Sequence, residues 1–150
     1  MHLLCDGYGV PLSAMLLAGQ AHESTQFEAL ASSAQIRRRS GHKRWRPRRM
    51  GGDKAYHAQR IRHWLHSHQI GAVIPPRASR AKKRHSGRPV SYDRERYRGR
   101  NVIERCIGWL KECRSIATRF EKLAVHFLGM VQLAIIERYL RLLTRSSVST

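Results

Sequence analysis

Residues 97 to 111 read YRGRNVIERCIGWLK, and their spacing decides how the second half of the chain is built. Tyr97 to Arg100 is three residues, Arg100 to Glu104 four, and Glu104 to Lys111 seven. On an α-helix all four lie along one polar stripe roughly 20 Å long, at about 1.5 Å per residue. Ile103, Cys106, Ile107, Leu110 and Cys113 form a neighbouring apolar stripe that would face a core. The pattern predicts one helix over roughly residues 94 to 114. The ordinary reading of its polar edge is a solvated face on which Arg100 and Glu104 make an i,i+4 pair worth about 0.3 kcal/mol.

Working outward, a second long helix is expected over residues 124 to 143, and SIATRFEKL between the two has no clear periodicity. Glu137, Arg138 and Arg141 interrupt the apolar stretch from Val125 to Leu143, which argues against a membrane span and for a buried or docking helix. At the other end, HLLC and VPLSAMLLA flank DGYG, where glycines supply the positive φ of a tight hairpin. Pro11 has no N–H for a ladder and belongs at the start or edge of its strand. TQFEALASSA places Thr25 and Glu28 at capping-box spacing, with Phe27, Leu30, Ala31 and Ala34 on one helical face. A short strand near residue 50 follows, then a helix presenting Ile61, Trp64, Leu65 and His68, then the buried strand GAVIPP. Strands with interleaved and trailing helices make an α/β chain.

Composition narrows the partner. The chain has 150 residues, the size of one domain, and 41% of them are hydrophobic. With 29 Lys and Arg against 10 Asp and Glu, the formal charge is +19, which points to a polyanion, most often nucleic acid. The cations are spread over several segments instead of one face of an amphipathic helix, so an anionic membrane is the weaker candidate. Two runs are especially basic, residues 36 to 49 and 77 to 90, and self-repulsion should keep them as loops unless phosphates neutralise them. Trp45 within the first could stack on a base or simply anchor the loop. Cys5, Cys106 and Cys113 are too few and unevenly spaced for a disulfide framework or metal cluster, and read as small core residues of a reducing cytoplasm. His57, His63, His66 and His68 lack ligand spacing. MHLLCDGYGV has no basic segment followed by a long apolar core, so it is not a secretion signal.

The pattern Tyr, two residues, Arg, three residues, Glu, six residues, Lys resembles the signature around the last acidic residue of DDE-type insertion-sequence transposases, in the groups numbered four and five. GGDKAY resembles that family's strand-end block with the second catalytic Asp. HLLCDGYGVPLSAMLLAGQAHES resembles the strand, turn and strand before it, and AVIPPR and SIATRFEKLA follow in family order. The resemblance implies a ribonuclease-H-like α/β fold, a mixed sheet with flanking helices and two long C-terminal helices. It also implies that residues 1 to 150 are part of a catalytic domain that cuts and joins DNA strands. By resemblance Asp53 and Glu104 are the second and third carboxylates for two Mg²⁺ or Mn²⁺ ions, whose preference for hard oxygen ligands suits such side chains. Arg100 and Lys111 become DNA-contacting cations, with Tyr97 positioning substrate or ordering the helix. An Asp directly before KAYHAQRIRHWL is equally what a helix N-cap requires.

In the family the first catalytic Asp stands on a strand ahead of the hairpin. Asp6 precedes Glu23 but lies in the DGYG block, where a turn role explains it. The expectation is therefore a C-terminal part of a transposase, truncated or split by frameshifting, inactive by itself. Its expected partners are insertion-sequence ends and target DNA in the bacterial cytoplasm and nucleoid, not a membrane. Two other readings stay open. One is a noncatalytic basic nucleic-acid-binding module. The other is a protein that self-associates or interferes with full-length transposase through Phe127, Leu128, Val131, Ala134 and Ile135 of the last helix.

Overall fold

Asp6 turns the chain at its start. In the computed structural model, which describes residues 1–17, 23–34, 36–37, 40–44, 46–76 and 93–147, β1 (His2–Cys5) and β2 (Pro11–Met15) pair antiparallel. The Asp6 carboxylate accepts the backbone N–H groups of Tyr8 and Val10, each at 2.9 Å. Gly9 takes φ +86°, the left-handed conformation expected of a turn glycine, whereas Gly7 does not. Pro11 opens β2, as its missing N–H requires.

The chain divides into two compact units, Met1–Ala21 with Asn101–Thr150, and His22–Arg100. In the first, the hairpin packs with α4 (Asn101–Glu112) through β1 and with α6 (Ala124–Ser147) through β2, and α5 (Arg114–Ala117) packs with both helices. Leu110, Ile116, Phe127, Val131 and Ala134 form its core, with Leu3 and Ala14 of the hairpin against them. The Tyr139 hydroxyl donates to the Pro11 carbonyl at 2.6 Å, tying α6 to β2. The Arg138 guanidinium lies 5.1 Å from the Trp109 ring centroid, a cation–π contact between α6 and α4.

The second unit holds α1 (Phe27–Ser33), β3 (Ile36–Arg37), β4 (Lys43–Arg44), β5 (Arg49–Gly51), α2 (Gln59–Ser67), β6 (Gly71–Val73) and α3 (Arg94–Arg98). β5 and β6 run parallel in register Arg49 to Gly71, Met50 to Ala72 and Gly51 to Val73, with α2 as the connection a parallel pair needs. Phe27, Leu30, Ala31 and Ala34 are buried, as their spacing predicts, and so are Ile61 and Leu65. Phe27 meets the edge of Trp64 at 5.8 Å between centroids and Tyr56 at 5.7 Å.

Several expectations change. The helix over residues 94 to 114 is two helices. α3 ends at Arg98, the Arg100 N–H closes a turn on the Tyr97 carbonyl at 3.0 Å, and α4 starts at Asn101. Gly99 explains the break, because a mid-helix glycine costs about 1 kcal/mol relative to alanine and gives the helix little reason to continue. The basic run from residue 36 is not all loop. β3 and β4 pair antiparallel around Gly41, whose φ is +79°. The repulsion acts among side chains, whereas the ladder is made by backbone groups. Trp45 and residues 77 to 90 lie outside the described residues. Around Thr25 and Glu28 a 3-10 helix, Glu23–Gln26, precedes α1, whose N-cap is Gln26 without a side-chain cap bond, and Glu28 pairs with Arg60 at 3.0 Å. SIATRFEKL begins as α5 and loses helical order after Ala117. α6 extends to Ser147. The described strands form three two-stranded ladders, a mixed α/β arrangement, in place of one expected mixed sheet.

The face of α6 expected to need a partner is covered within its own unit. Phe127, Val131 and Ala134 are buried against Leu110 and Ile116. The exposed apolar positions fall on another side of the helix, at Leu133, Ile136 and Leu140. No described helix is long and apolar enough to cross a membrane.

Leu110 is fully buried and Leu133 is 67% exposed, so truncating them should separate core from surface. Leu110→Ala should lose about 2–5 kcal/mol of unfolding free energy, read by urea titration. Leu133→Ala should stay within about 0.5 kcal/mol of the parent. The Tyr139 phenol also makes stability depend on alkaline pH. Burial, then the Asp6 charge, raises its pKa above the ordinary 10.0. The neutral phenol is thus favoured in the folded state: its contribution is complete below about pH 10 and is lost as pH rises through the raised folded value. A urea titration series across that window should show less dependence in Tyr139→Phe.

Candidate functional site

Asp53 stands just past the carboxyl end of β5, where the parallel pair with β6 gives way to a 3-10 helix, Lys54–Tyr56. The Gly52 N–H donates to the Val73 carbonyl at 3.3 Å, and a Cβ on Gly52 would lie 3.3 Å from the Tyr56 side chain. The glycine thus allows the chain to leave the strand close against Tyr56. Asp53 has extended backbone, φ −77° and ψ −176°, and its Oδ1 accepts the Ala55 N–H at 2.9 Å. The N-cap role open in the sequence is therefore realised. Its Oδ2 makes no hydrogen bond to the described residues. One oxygen orients the carboxylate while the other stays available to a ligand.

Glu104 lies in the first turn of α4 and Lys111 in its last, both exposed. Their seven-residue separation keeps them on one side of that helix. An acid at the start and a base at the end also complement the helix dipole. The apolar stripe beside them is realised, with Cys106 and Leu110 buried. Tyr97 belongs to α3 and Arg100 to the turn after it, and the Arg100 guanidinium sits 5.4 Å from the Tyr97 ring centroid. The four residues are therefore not one stripe of one continuous helix.

The structure brings Tyr97 and Arg100 into contact and sets Glu104 and Lys111 on one helix. Asp53, Tyr97 and Arg100 belong to the unit His22–Arg100, and Glu104 and Lys111 to the other. Asp53 and Glu104 offer the hard oxygen donors that Mg²⁺ or Mn²⁺ prefers. Among the described residues, however, no group of three or more His, Cys, Asp and Glu side chains is gathered to hold a metal ion. The histidines make local contacts: His57 Nδ1 lies 2.9 Å from the Lys54 carbonyl and His68 Nδ1 2.8 Å from that of Trp64. Asp6 is engaged in its turn, as expected from DGYG.

One constellation was invisible in the sequence. β1, which ends at Cys5, packs against α4, which carries Cys106, although the two cysteines stand 101 positions apart in the chain (106 minus 5). No local periodicity could have paired these two elements.

A carboxylate at the end of a parallel strand pair and a second on an amphipathic helix place this protein among mixed α/β chains with acidic side chains presented from a strongly basic surface. A family model described as Transposase DDE domain matches residues 1–136, and the chain belongs to the DDE transposase family. A Burkholderia cepacia protein named as a transposase for insertion sequence element IS402 is 33% identical over 124 residues, covering 82% of this chain and 54% of the relative. The chain thus spans about half the length of that curated relative. No solved structure matches the chain.

The capping role of Asp53 can be tested by substitution. Asp53→Ala removes the acceptor for the Ala55 N–H and should cost about 1 kcal/mol. Asp53→Asn keeps an acceptor oxygen and should lie within about 0.5 kcal/mol of the parent in the same urea titration.

Proposed function

We propose that this protein forms part of the catalytic domain of an insertion-sequence transposase of ribonuclease-H-like architecture, acting in divalent-metal-dependent cleavage and transfer of DNA strands. The observation that carries the reading is Asp53, held by its cap bond at the carboxyl end of β5 with Oδ2 open, in a chain matched to the DDE family over residues 1–136. In open α/β sheets the carboxyl ends of strands are where ligands bind, which favours this position for chemistry.

In this reading Asp53 and Glu104 are two of three carboxylates that hold Mg²⁺ or Mn²⁺. Bound divalent ions supply positive charge that activates an attacking oxygen and stabilises the leaving one. Asp53 and Glu104 contribute ligand oxygens. Arg100 binds phosphate through its fork, Lys111 acts as a point charge, and Tyr97 orders Arg100 by stacking beneath it. The partners are the ends of the element and its target DNA. The third carboxylate is not assigned within residues 1–150 and comes from another segment or chain, so these residues alone do not cut DNA.

The test is a nicking and strand-transfer assay on DNA bearing the element's ends, with Mg²⁺ or Mn²⁺. It compares residues 1–150 alone with the same residues joined to a segment carrying the first carboxylate. Cleavage is expected only from the joined form, falling roughly a hundredfold or more in Asp53→Asn and in Glu104→Gln, with DNA affinity retained. Cleavage indifferent to both substitutions would support a noncatalytic basic module instead. Robust cleavage by residues 1–150 alone would remove the need for an outside carboxylate. Arg100→Gln and Lys111→Gln should each weaken binding and reduce the slope of log affinity against log salt by about 1.

A further inference from the structure

β3 and β4 form a ladder of their own, in register Ile36 to Arg44 and Arg37 to Lys43. Residues opposite one another in an antiparallel ladder share a face, and the next pair takes the other face. Arg37 and Lys43 therefore occupy positions on one face, and Arg44 a position on the other beside Ile36. Gly41 turns the chain between the strands at φ +79°, and Ser40, Gly41, His42 and Lys43 are exposed.

Like charges set directly opposite one another disfavour a ladder, so Arg37 across from Lys43 calls for an anion. The neighbouring sequence supplies none. Residues 36 to 49 contain eight Lys and Arg and no Asp or Glu, and the flanking acids are Glu28 and Asp53. Glu28 is paired with Arg60, and the Asp53 carboxylate accepts the Ala55 N–H. Arg46 donates to the uncharged Gln69 at 3.0 Å. Among the described residues no ion pair engages Lys43, Arg48 or Arg49, all exposed.

We propose that the β3–β4 ribbon is a docking element for duplex DNA that enters the major groove with its Gly41 turn leading, the cations of its two faces meeting the phosphates of the two walls. The major groove of B-form DNA is about 12 Å wide and admits a two-stranded ribbon, whereas the minor groove is only about 6 Å wide. Duplex RNA is excluded, because its A-form major groove is deep and narrow. A glycine keeps the leading edge slim, and Ser40 and His42 beside it carry hydrogen-bonding groups suited to base edges. A flat acidic protein surface would meet one face of the ribbon and leave the cations of the other face unpaired.

The ribbon also bears on the candidate site. Only residues 45 to 48 separate β4 from β5, and both belong to the unit His22–Arg100. Exposed Arg48 and Arg49 continue the cationic track along the strand that leads to Asp53. DNA gripped by the ribbon is thereby tethered to the unit that presents Asp53. This role rests on the transposase reading for its ligand, DNA, but needs neither a metal nor a completed carboxylate site.

The experiment uses the full 150-residue chain in EDTA, with a fluorescent duplex DNA of mixed sequence followed by anisotropy over a salt series. Arg37→Gln combined with Lys43→Gln should weaken binding about tenfold or more near 0.1 M salt and reduce the slope of log affinity against log salt by about 2. Gly41→Val keeps every charge but strains a left-handed turn, and should also weaken duplex binding. Methylation of guanine N7, in the major groove, should interfere with binding, and methylation of adenine N3, in the minor groove, should not. An RNA duplex of the same sequence should bind at least about tenfold more weakly. Parent affinity and slope in the double variant, equal binding of the RNA duplex, or interference only at adenine N3 would each overturn the proposal. Duplex binding unchanged in the ribbon variants but weakened in Arg100→Gln and Lys111→Gln would remove the ribbon and leave the transposase reading standing. No duplex binding by the parent chain would remove both. If Gly41→Val does not fold, the double variant and the methylation pattern decide.

Discussion

The apolar seam between α4 and α6 is the constraint on which the first unit depends. Leu110 and Val131 are fully buried there, and Leu3 and Ala14 of the hairpin close over the same cluster. This unit is discontinuous in sequence, because residues 22 to 100 lie between the hairpin and α4. Closing so long a loop costs entropy that local contacts cannot recover, so burial along the seam must offset it. The Tyr139 bond to Pro11 and the Arg138 contact with Trp109 both require the seam first.

The second unit turns on a shorter constraint, the exit of the chain from β5. Gly51 and Gly52 bring the backbone close to Val73 and Tyr56, and Asp53 stops the strand by capping the 3-10 helix. A capping bond and a ligand role compete for a carboxylate only if they need the same oxygen. Here the cap uses Oδ1, and Oδ2 makes no hydrogen bond to the described residues. The strong positive charge complements that arrangement, since a basic chain can gather a polyanion around carboxylates that would otherwise repel it.

What was legible in the sequence was legible because it is local. Period-2 and period-3.6 patterns need only neighbouring residues, so the hairpin, the buried face of α1 and the apolar stripe of α4 could all be read directly. The turn role of Asp6 was equally plain from DGYG. Spacing failed where one residue outweighed the pattern. Gly99 divides the expected long helix, and the Ser40-Gly41 turn lets backbone pairing form within a run whose charge argued for a loop.

Membership of the DDE transposase family was therefore carried by the chain itself, whose residues 1–136 match the family. Tertiary structure decided which apolar face of α6 is covered and which of the carboxylates shares a unit with which cations. The physical reason is separation along the chain. Periodicity specifies the face an element offers, whereas the surface it meets is selected by packing among segments as much as 100 residues apart.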